Sequence, residues 1–341
     1  MEKRTDRPRT GLVIGRFIPP HAGHQLLIDT ARHQVEHLVV ILFSSQRDPI
    51  PPELRLGWLM EDNPGLDLRH VVAEQRQDYD DPDIWDQWMA SIRSALPEGP
   101  DVVFTSEAYG DEMARRLGAE HICVDPERQA RPVSGTAVRE NPYRCWDHLS
   151  PAVRAHFTLR VALCGAESTG KTVLAEKLAR RFNTIWTPEY GRLYFDARPG
   201  PCTPEDLLAI ARGQYALQEE AARRANRLLI MDTDILTTMI FGERFFGAAE
   251  DELQQMARGE KTHLYLLADN DVPFVPDPQR ESGHLREWFK ERYIREFEER
   301  GLPYRIFGGD YAAREEQAAA LIAEFLASRG VELPGLSGAA G

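Results

Sequence analysis

Two stretches of this chain bring together residue types that can hold and activate a polyphosphate. The first is Gly15-Arg16-Phe17-Ile18-Pro19-Pro20-His21-Ala22-Gly23-His24, which follows a β-branched run and precedes an apolar-periodic segment through Leu26, Leu27 and Ala31. A strand that enters a tight turn and then a helix collects unpaired N–H groups at the positive end of the helix dipole, where phosphate binds. Gly15, Arg16 and Phe17 would line that turn. His21 and His24 would donate hydrogen bonds to phosphate oxygens whose charge grows in the transition state. A His-x-x-His pair also serves as a helix cap or as metal ligands, and those readings stay open.

The second stretch, Gly165-Ala166-Glu167-Ser168-Thr169-Gly170-Lys171-Thr172, fits G-x-x-x-x-G-K-[ST] between an expected strand and an expected helix. Its amides would cradle the phosphates of ATP, Lys171 would reach the β and γ groups, and the Thr172 hydroxyl would ligate Mg²⁺. The strand 227–231 runs into Asp232 and Asp234, and open α/β sheets place ligands at such strand ends. Either carboxylate could hold the metal through water or take a proton from an attacking hydroxyl, and Asp234 could equally cap the next helix. Glu189 is a second candidate for holding substrate hydroxyls. Arg280, in the Pro-rich stretch 271–283, would serve as a lid arginine or sit solvated on a loop.

The elements that must position these residues show in the hydrophobic pattern. Short apolar runs at 11–15, 38–43 and 101–105 alternate with amphipathic segments such as 84–96, and the rhythm restarts at 158–164. Further strands are expected at 227–231, 263–267 and 304–307, with helices at 142–157, 171–182, 204–225, 284–300 and 311–328. The fold class is therefore α/β, with two tandem parallel sheets, the first Rossmann-like and the second of P-loop type. The expected divisions are 1–155, 156–330 and a flexible tail over 331–341.

A length of 341 residues suits two domains at about 150 residues each. Hydrophobic residues at 42% and charged residues at 28% are globular values, which excludes disorder as the main theme. With 41 Lys and Arg against 54 Asp and Glu, the net charge of −13 argues against a nucleic-acid partner. Four dispersed cysteines without a C-x-x-C pair fit a reduced cytoplasm. The absence of a long apolar run leads us to expect a soluble, unprocessed chain with no membrane partner. The acidic run Asp78, Asp80, Asp81, Asp83 reads as a solvated loop.

The first motif resembles the nucleotidyltransferase superfamily, which transfers adenylyl or cytidylyl groups. The resemblance implies that a later S-x-T-x-x-R segment closes over the triphosphate; it is present as Ser134-Gly135-Thr136-Ala137-Val138-Arg139. Arg139 would then neutralise the β and γ phosphates, while Ser134 and Thr136 would supply donors. Within the superfamily the segment is most similar to nicotinamide mononucleotide (NMN) adenylyltransferases that begin GRFQPxHxGH, with Ile18 here in place of Gln. That likeness assigns Arg55 to the substrate phosphate and Trp88 to stacking on the nicotinamide ring, where an indole face suits a pyridinium cation. Trp85 and Trp88 could instead be core residues of one helix.

The two units in this order resemble a family of bifunctional NMN adenylyltransferases and ribosylnicotinamide kinases. Trp186-Thr187-Pro188-Glu189-Tyr190-Gly191-Arg192, Ala209-Ile210-Ala211-Arg212-Gly213-Gln214 and Asp271-Val272-Pro273-Phe274-Val275 carry the likeness, and Pro278 replaces a glycine in the stretch before Arg280. The resemblance implies ATP and Mg²⁺, small-molecule substrates (ribosylnicotinamide, NMN and NAD as product) and a location in the cytoplasm, with homo-oligomerisation left open. Some members carry a DNA-binding module ahead of the first strand. Only about ten residues precede that strand here, so no repressor function is expected. A fused phosphopantetheine adenylyltransferase and dephospho-coenzyme A kinase would use the same two motifs, and a non-catalytic nucleotide sensor is the alternative from another class.

Overall fold

The computed structural model describes residues 9–74, 82–198, 200–273 and 285–333. Arg280 and Pro278 lie outside the described residues, as do Asp78, Asp80, Asp81 and residues 334–341. The chain divides into two compact units, Met1–Val153 and Arg154–Gly341.

The first unit runs β1 (Thr10–Gly15), α1 (Ala22–Arg32), β2 (His37–Ser44), α2 (Pro52–Asp62), β3 (Asp67–Val72), α3 (Pro82–Ala95), β4 (Val102–Thr105), α4 (Tyr109–Leu117), β5 (Glu120–Cys123) and α5 (Gly135–Glu140). Its five strands pair in parallel in the order β3-β2-β1-β4-β5. Successive side chains of a strand point to opposite faces, so each face needs its own cover. Leu12 and Ile14 pack with Trp85, Met89 and Ile92 of α3, while Val13 packs with Leu27 and Ile28 of α1 and Leu59 of α2. The expected helix 142–157 is interrupted: a 3₁₀ turn at Trp146–His148 precedes α6 (Pro151–Phe157). Proline has no amide to continue a helix and restricts the residue before it, so Pro151 starts a new helix rather than extending the old one.

The second unit runs β6 (Leu159–Cys164), α7 (Lys171–Arg181), β7 (Ile185–Thr187), α8 (Tyr190–Ala197), α9 (Pro204–Arg224), β8 (Leu228–Asp232), α10 (Ile235–Phe246), α11 (Asp251–Arg258), β9 (Leu264–Ala268), α12 (Arg286–Arg300), β10 (Tyr304–Phe307) and α13 (Tyr311–Ser328). Its strands are also parallel, ordered β10-β9-β6-β8-β7. Val331 and Leu333 are buried, so the tail expected from 331 begins packed; two apolar side chains hold it to the unit. No helix among the described residues is long and apolar enough to cross a membrane.

In each sheet the strand order reverses beside the first strand of the unit. β1 lies between β2 and β4, and β6 lies between β9 and β8. Connections leave such a strand toward opposite faces and open a crevice at its carboxyl end. Both motifs sit at that end.

Candidate active sites

In the first unit the crevice is a cleft of about 720 Å³ lined by Gly15, Arg16, Phe17, His21, His24 and Gly135, among others. Phe17 takes a left-handed φ of 50°, which a bulky side chain adopts only when its surroundings hold it. Its ring is buried and lies 4.8 Å from that of His24, so the strained turn sets the second histidine. The His21 and His24 rings stack at 3.8 Å. His21 caps α1, its Nδ1 accepting from the Gly23 N–H at 3.2 Å, so the capping reading and a role in the cleft hold together.

Burial pushes the His21 imidazole down to about 4, with Arg128 and His148 adding to the effect. Burial also carries His24 well below the usual histidine range, followed by His21 and Arg128. Both are neutral at pH 7 and can donate one N–H each. His24 Nδ1 is buried with no hydrogen-bond partner among the described residues, a polar atom left for a ligand or water.

Across the cleft Ser134 caps α5, its hydroxyl accepting from the Ala137 N–H at 3.1 Å. Arg139 Nη1 donates to the Ile18 carbonyl at 2.8 Å and Nη2 to Thr136 Oγ1 at 3.0 Å, tying the two motifs together. Gly135 permits this: a Cβ there would lie 3.1 Å from both the Arg139 Nη1 and the Ile18 oxygen. The structure thus unites Gly15, Arg16, Phe17, His21, His24, Ser134, Thr136 and Arg139.

Arg55 and Trp88 are placed elsewhere. The Arg55 side chain is fully buried under the turn, where Nη2 pairs with Asp48 at 2.8 Å and Nη1 donates to the Arg16 carbonyl at 2.6 Å. The same Asp48 pairs with Arg16, which also donates to Ser45 Oγ at 3.0 Å. Arg55 is therefore a strut that fixes Arg16 instead of a group facing the cleft. Trp88 is 7% exposed and packs 4.7 Å from Phe43 inside the core beside Trp85, because α3 presents that side to the sheet. Its Nε1 is buried without a partner among the described residues.

Sequence reasoning missed Asp48, Arg47, Arg128 and Arg131, all four of which line the cleft. Asp125 organises the loop that carries two of them, accepting from the N–H groups of Gln129, Ala130 and Arg131 at 2.8, 3.1 and 3.2 Å. A pair of arginines just ahead of Ser134, in a chain of net negative charge, was the available signal.

In the second unit Gly165, Ala166, Glu167, Ser168, Thr169 and Gly170 form the loop between β6 and α7. Lys171 Nζ folds over it, donating to the Gly165 and Ala166 carbonyls at 3.0 and 2.8 Å. Asp232 ends β8 at 1% exposure. Burial raises its carboxyl, while Lys171, the neighbouring Thr172 hydroxyl and Arg192 pull it back. Neither oxygen makes a hydrogen bond of good geometry among the described residues. A buried carboxylate left bare in this way is costly, and a hard cation taking oxygen ligands beside Thr172 would satisfy it.

Asp234 does not reach the site. It is fully buried as the cap of α10, accepting from the Thr237 N–H at 3.3 Å and the Thr262 hydroxyl at 3.1 Å. Its neighbour Glu260 is pushed up to about 7 by burial and by the Asp234 charge. Of the two readings of Asp234, the cap is the one the side chain performs. Glu189 stands half-buried just ahead of α8, where the Tyr190 N–H donates to Gln214 Oε1 at 2.7 Å.

Two parallel sheets, each with an anion-binding turn at the carboxyl end of its first strand, define a chain with one nucleotidyltransferase-type unit and one P-loop kinase-type unit. The AAA domain family matches residues 160–314. The chain is 31% identical over 93% of its length to "Trifunctional NAD biosynthesis/regulator protein NadR" of Escherichia coli K12, covering 83% of that protein. It is 30% identical over 94% to the NadR protein of Salmonella typhimurium LT2. A nicotinamide-nucleotide adenylyltransferase of Thermococcus onnurineus is 28% identical over 44% of the chain and 82% of its own length. A NadR crystal structure in complex with NAD and AMP-PNP superposes with a TM-score of 0.77 at 23% identity, over 97% of this chain and 98% of that one, which establishes the shared fold. The chain belongs to the NadR family.

Proposed function

We propose that the chain is a bifunctional enzyme of NAD biosynthesis. The second unit moves the γ-phosphoryl of ATP onto the 5′-hydroxyl of ribosylnicotinamide, giving NMN and ADP. The first unit joins NMN to a second ATP: a 5′-phosphate oxygen attacks the α-phosphorus, the bond to the β-phosphate breaks, and NAD⁺ and pyrophosphate leave. The observation that carries the reading is a pair of separate phosphate sites, His21 with His24 and Lys171 with Asp232, in a chain that matches NadR across nearly its whole length. Relatives named for NAD biosynthesis favour it over the coenzyme A reading and over a sensor without turnover.

In the first unit, phosphate is already a competent nucleophile, so positioning and charge stabilisation suffice. His21 and His24 donate to the α and β phosphate oxygens, Arg16 and Arg139 hold the outer phosphates, and Ser134 and Thr136 hold the helix mouth open to them. In the second unit the loop amides and Lys171 hold the β and γ phosphates, and Glu189 orients the riboside hydroxyls. Thr172 and Asp232 would hold Mg²⁺, which would supply positive charge to offset that of the transferring phosphates. Substrates are small molecules, and the reading places the enzyme in the cytoplasm.

Incubation of the purified chain with ribosylnicotinamide and MgATP tests the proposal directly. NAD⁺ should form, Lys171→Ala should block its formation from the riboside but not from NMN, and phosphopantetheine should remain unchanged. Turnover of phosphopantetheine with no reaction of either pyridine compound would refute it.

A further inference from the structure

We propose that Arg314 is a positioning residue for the ATP phosphates, fixing through its guanidinium the loop that carries Lys171 and Thr172. The inference rests on the reading that the second unit binds ATP at its P-loop.

Arg314 lies in the first turn of α13 and is only 2% exposed. Its donors serve three loops, all at the carboxyl edge of the sheet. Nη1 donates to the Thr169 carbonyl of the P-loop at 3.3 Å, and Nε to the Gly309 carbonyl after β10 at 2.8 Å. Nη2 donates to the Asp269 carbonyl after β9 at 2.8 Å and also pairs with the Asp271 carboxylate. A guanidinium is planar and rigid, so one group that binds three loops fixes the distances between them. Lysine, a point charge on a flexible stem, cannot do the same.

Two neighbouring features make the arrangement specific. Asp271 accepts from the Gly309 N–H as well as from Arg314, and a Cβ on Gly308 would lie 2.7 Å from its Oδ2, so a side chain there would push the carboxylate from its present position. Gly170, the residue after Thr169, has φ of 82°, and a Cβ there would come within 2.9 Å of the Tyr311 ring. The helix α13 therefore grips the P-loop at two consecutive residues, one by packing and one by hydrogen bond, directly ahead of Lys171. Loop amides that cradle phosphate lose affinity when displaced by fractions of an ångström, which gives Arg314 leverage over a ligand it does not touch.

Calorimetric titration of the full chain with MgATP separates two classes of site, the P-loop class being the one that Lys171→Ala removes. Arg314→Lys should weaken that class about tenfold and Asp271→Asn about threefold. In turnover, the KM for ATP in riboside phosphorylation should rise while the KM for ribosylnicotinamide stays within about twofold. NAD⁺ formation from supplied NMN should be unchanged, which reports that the first unit is intact, while circular dichroism and thermal unfolding report the folding of the second. ATP affinity within twofold of the parent in both variants overturns the proposal. So does a parallel loss of kcat and of both substrate affinities that tracks the unfolded fraction measured by circular dichroism. Should the lysine variant fail to fold, Asp271→Asn decides alone. A parent chain that binds ATP at the P-loop but leaves ribosylnicotinamide untouched would defeat the proposed activity, while the titration still judges Arg314.

Discussion

The imidazole rings of His21 and His24 stack 3.8 Å apart, with the second ring held by Phe17 and the first closing the end of α1. Two neutral rings can lie that close, whereas two imidazolium ions in contact would repel. The arrangement makes the pair uncharged donors in the cleft, and a polyphosphate would draw protons onto them.

Each ring supplies a hydrogen bond at a point where charge develops. His21→Ala or His24→Ala should lower kcat for NAD⁺ formation from NMN by about 10²–10³, the loss typical of one oxyanion donor. Riboside phosphorylation should remain intact. A loss below tenfold in both variants would remove the pair from the chemistry.

Acid should weaken the first unit. An unfolded histidine gains its proton near pH 6.5, whereas His21 in the fold does so only near 4 and His24 also lies below 6.5. Between pH 6.5 and about 4 the unfolded chain binds more protons, so stability falls as pH drops through that window and is unaffected above it. Thermal unfolding across that range should show the decline, and His21→Gln should flatten it.

Arg55 and Arg16 share Asp48 but should fail differently when removed. Arg55→Ala takes one donor from the buried Asp48, which keeps Arg16 and Ser45, strips the Arg16 carbonyl of its donor and leaves a cavity, at a cost of about 2–4 kcal/mol in the first unit. Arg16→Ala, at the lip of the cleft, should lower adenylyl transfer with less than about 1 kcal/mol of destabilisation. Denaturant titration beside steady-state kinetics distinguishes the two; equal stability losses would contradict the strut.

Asp232→Asn exchanges a buried bare carboxylate for a neutral amide. Riboside phosphorylation should drop at least about 10²-fold through weaker Mg²⁺ use, while the thermal midpoint in metal-free buffer should hold or rise. A variant that is both active and less stable than the parent would count against metal binding at this residue.

The two motifs were legible because their chemistry is local: backbone amides, a helix start and a few side chains lie within ten residues in each case. The central strands, such as Leu159–Cys164 and Leu264–Ala268, showed equally well, since burial on both faces makes them continuously apolar. The edge strands Asp67–Val72, Glu120–Cys123 and Ile185–Thr187 did not, being short or half-exposed and lacking that run. Arg55 read as a substrate-facing group, and Trp88 and Asp234 each carried two readings, core or stacking for one and cap or site for the other, that the pattern left open. Each was identified by residue type, but its work depends on which way its helix or loop faces after packing, and tertiary contact alone sets that. Arg314 carried no local signal, because its acceptors come from three loops, one of them 145 residues away in sequence.

Lys171 has its ammonium held by the Gly165 and Ala166 carbonyls. An arriving nucleotide therefore meets a cation whose rotamer freedom was surrendered during folding, and capture becomes a swap of oxygen partners. Such a swap costs little ordering entropy and reverses as readily, so ADP, one phosphate poorer, can return the lysine to its resting carbonyls as it departs.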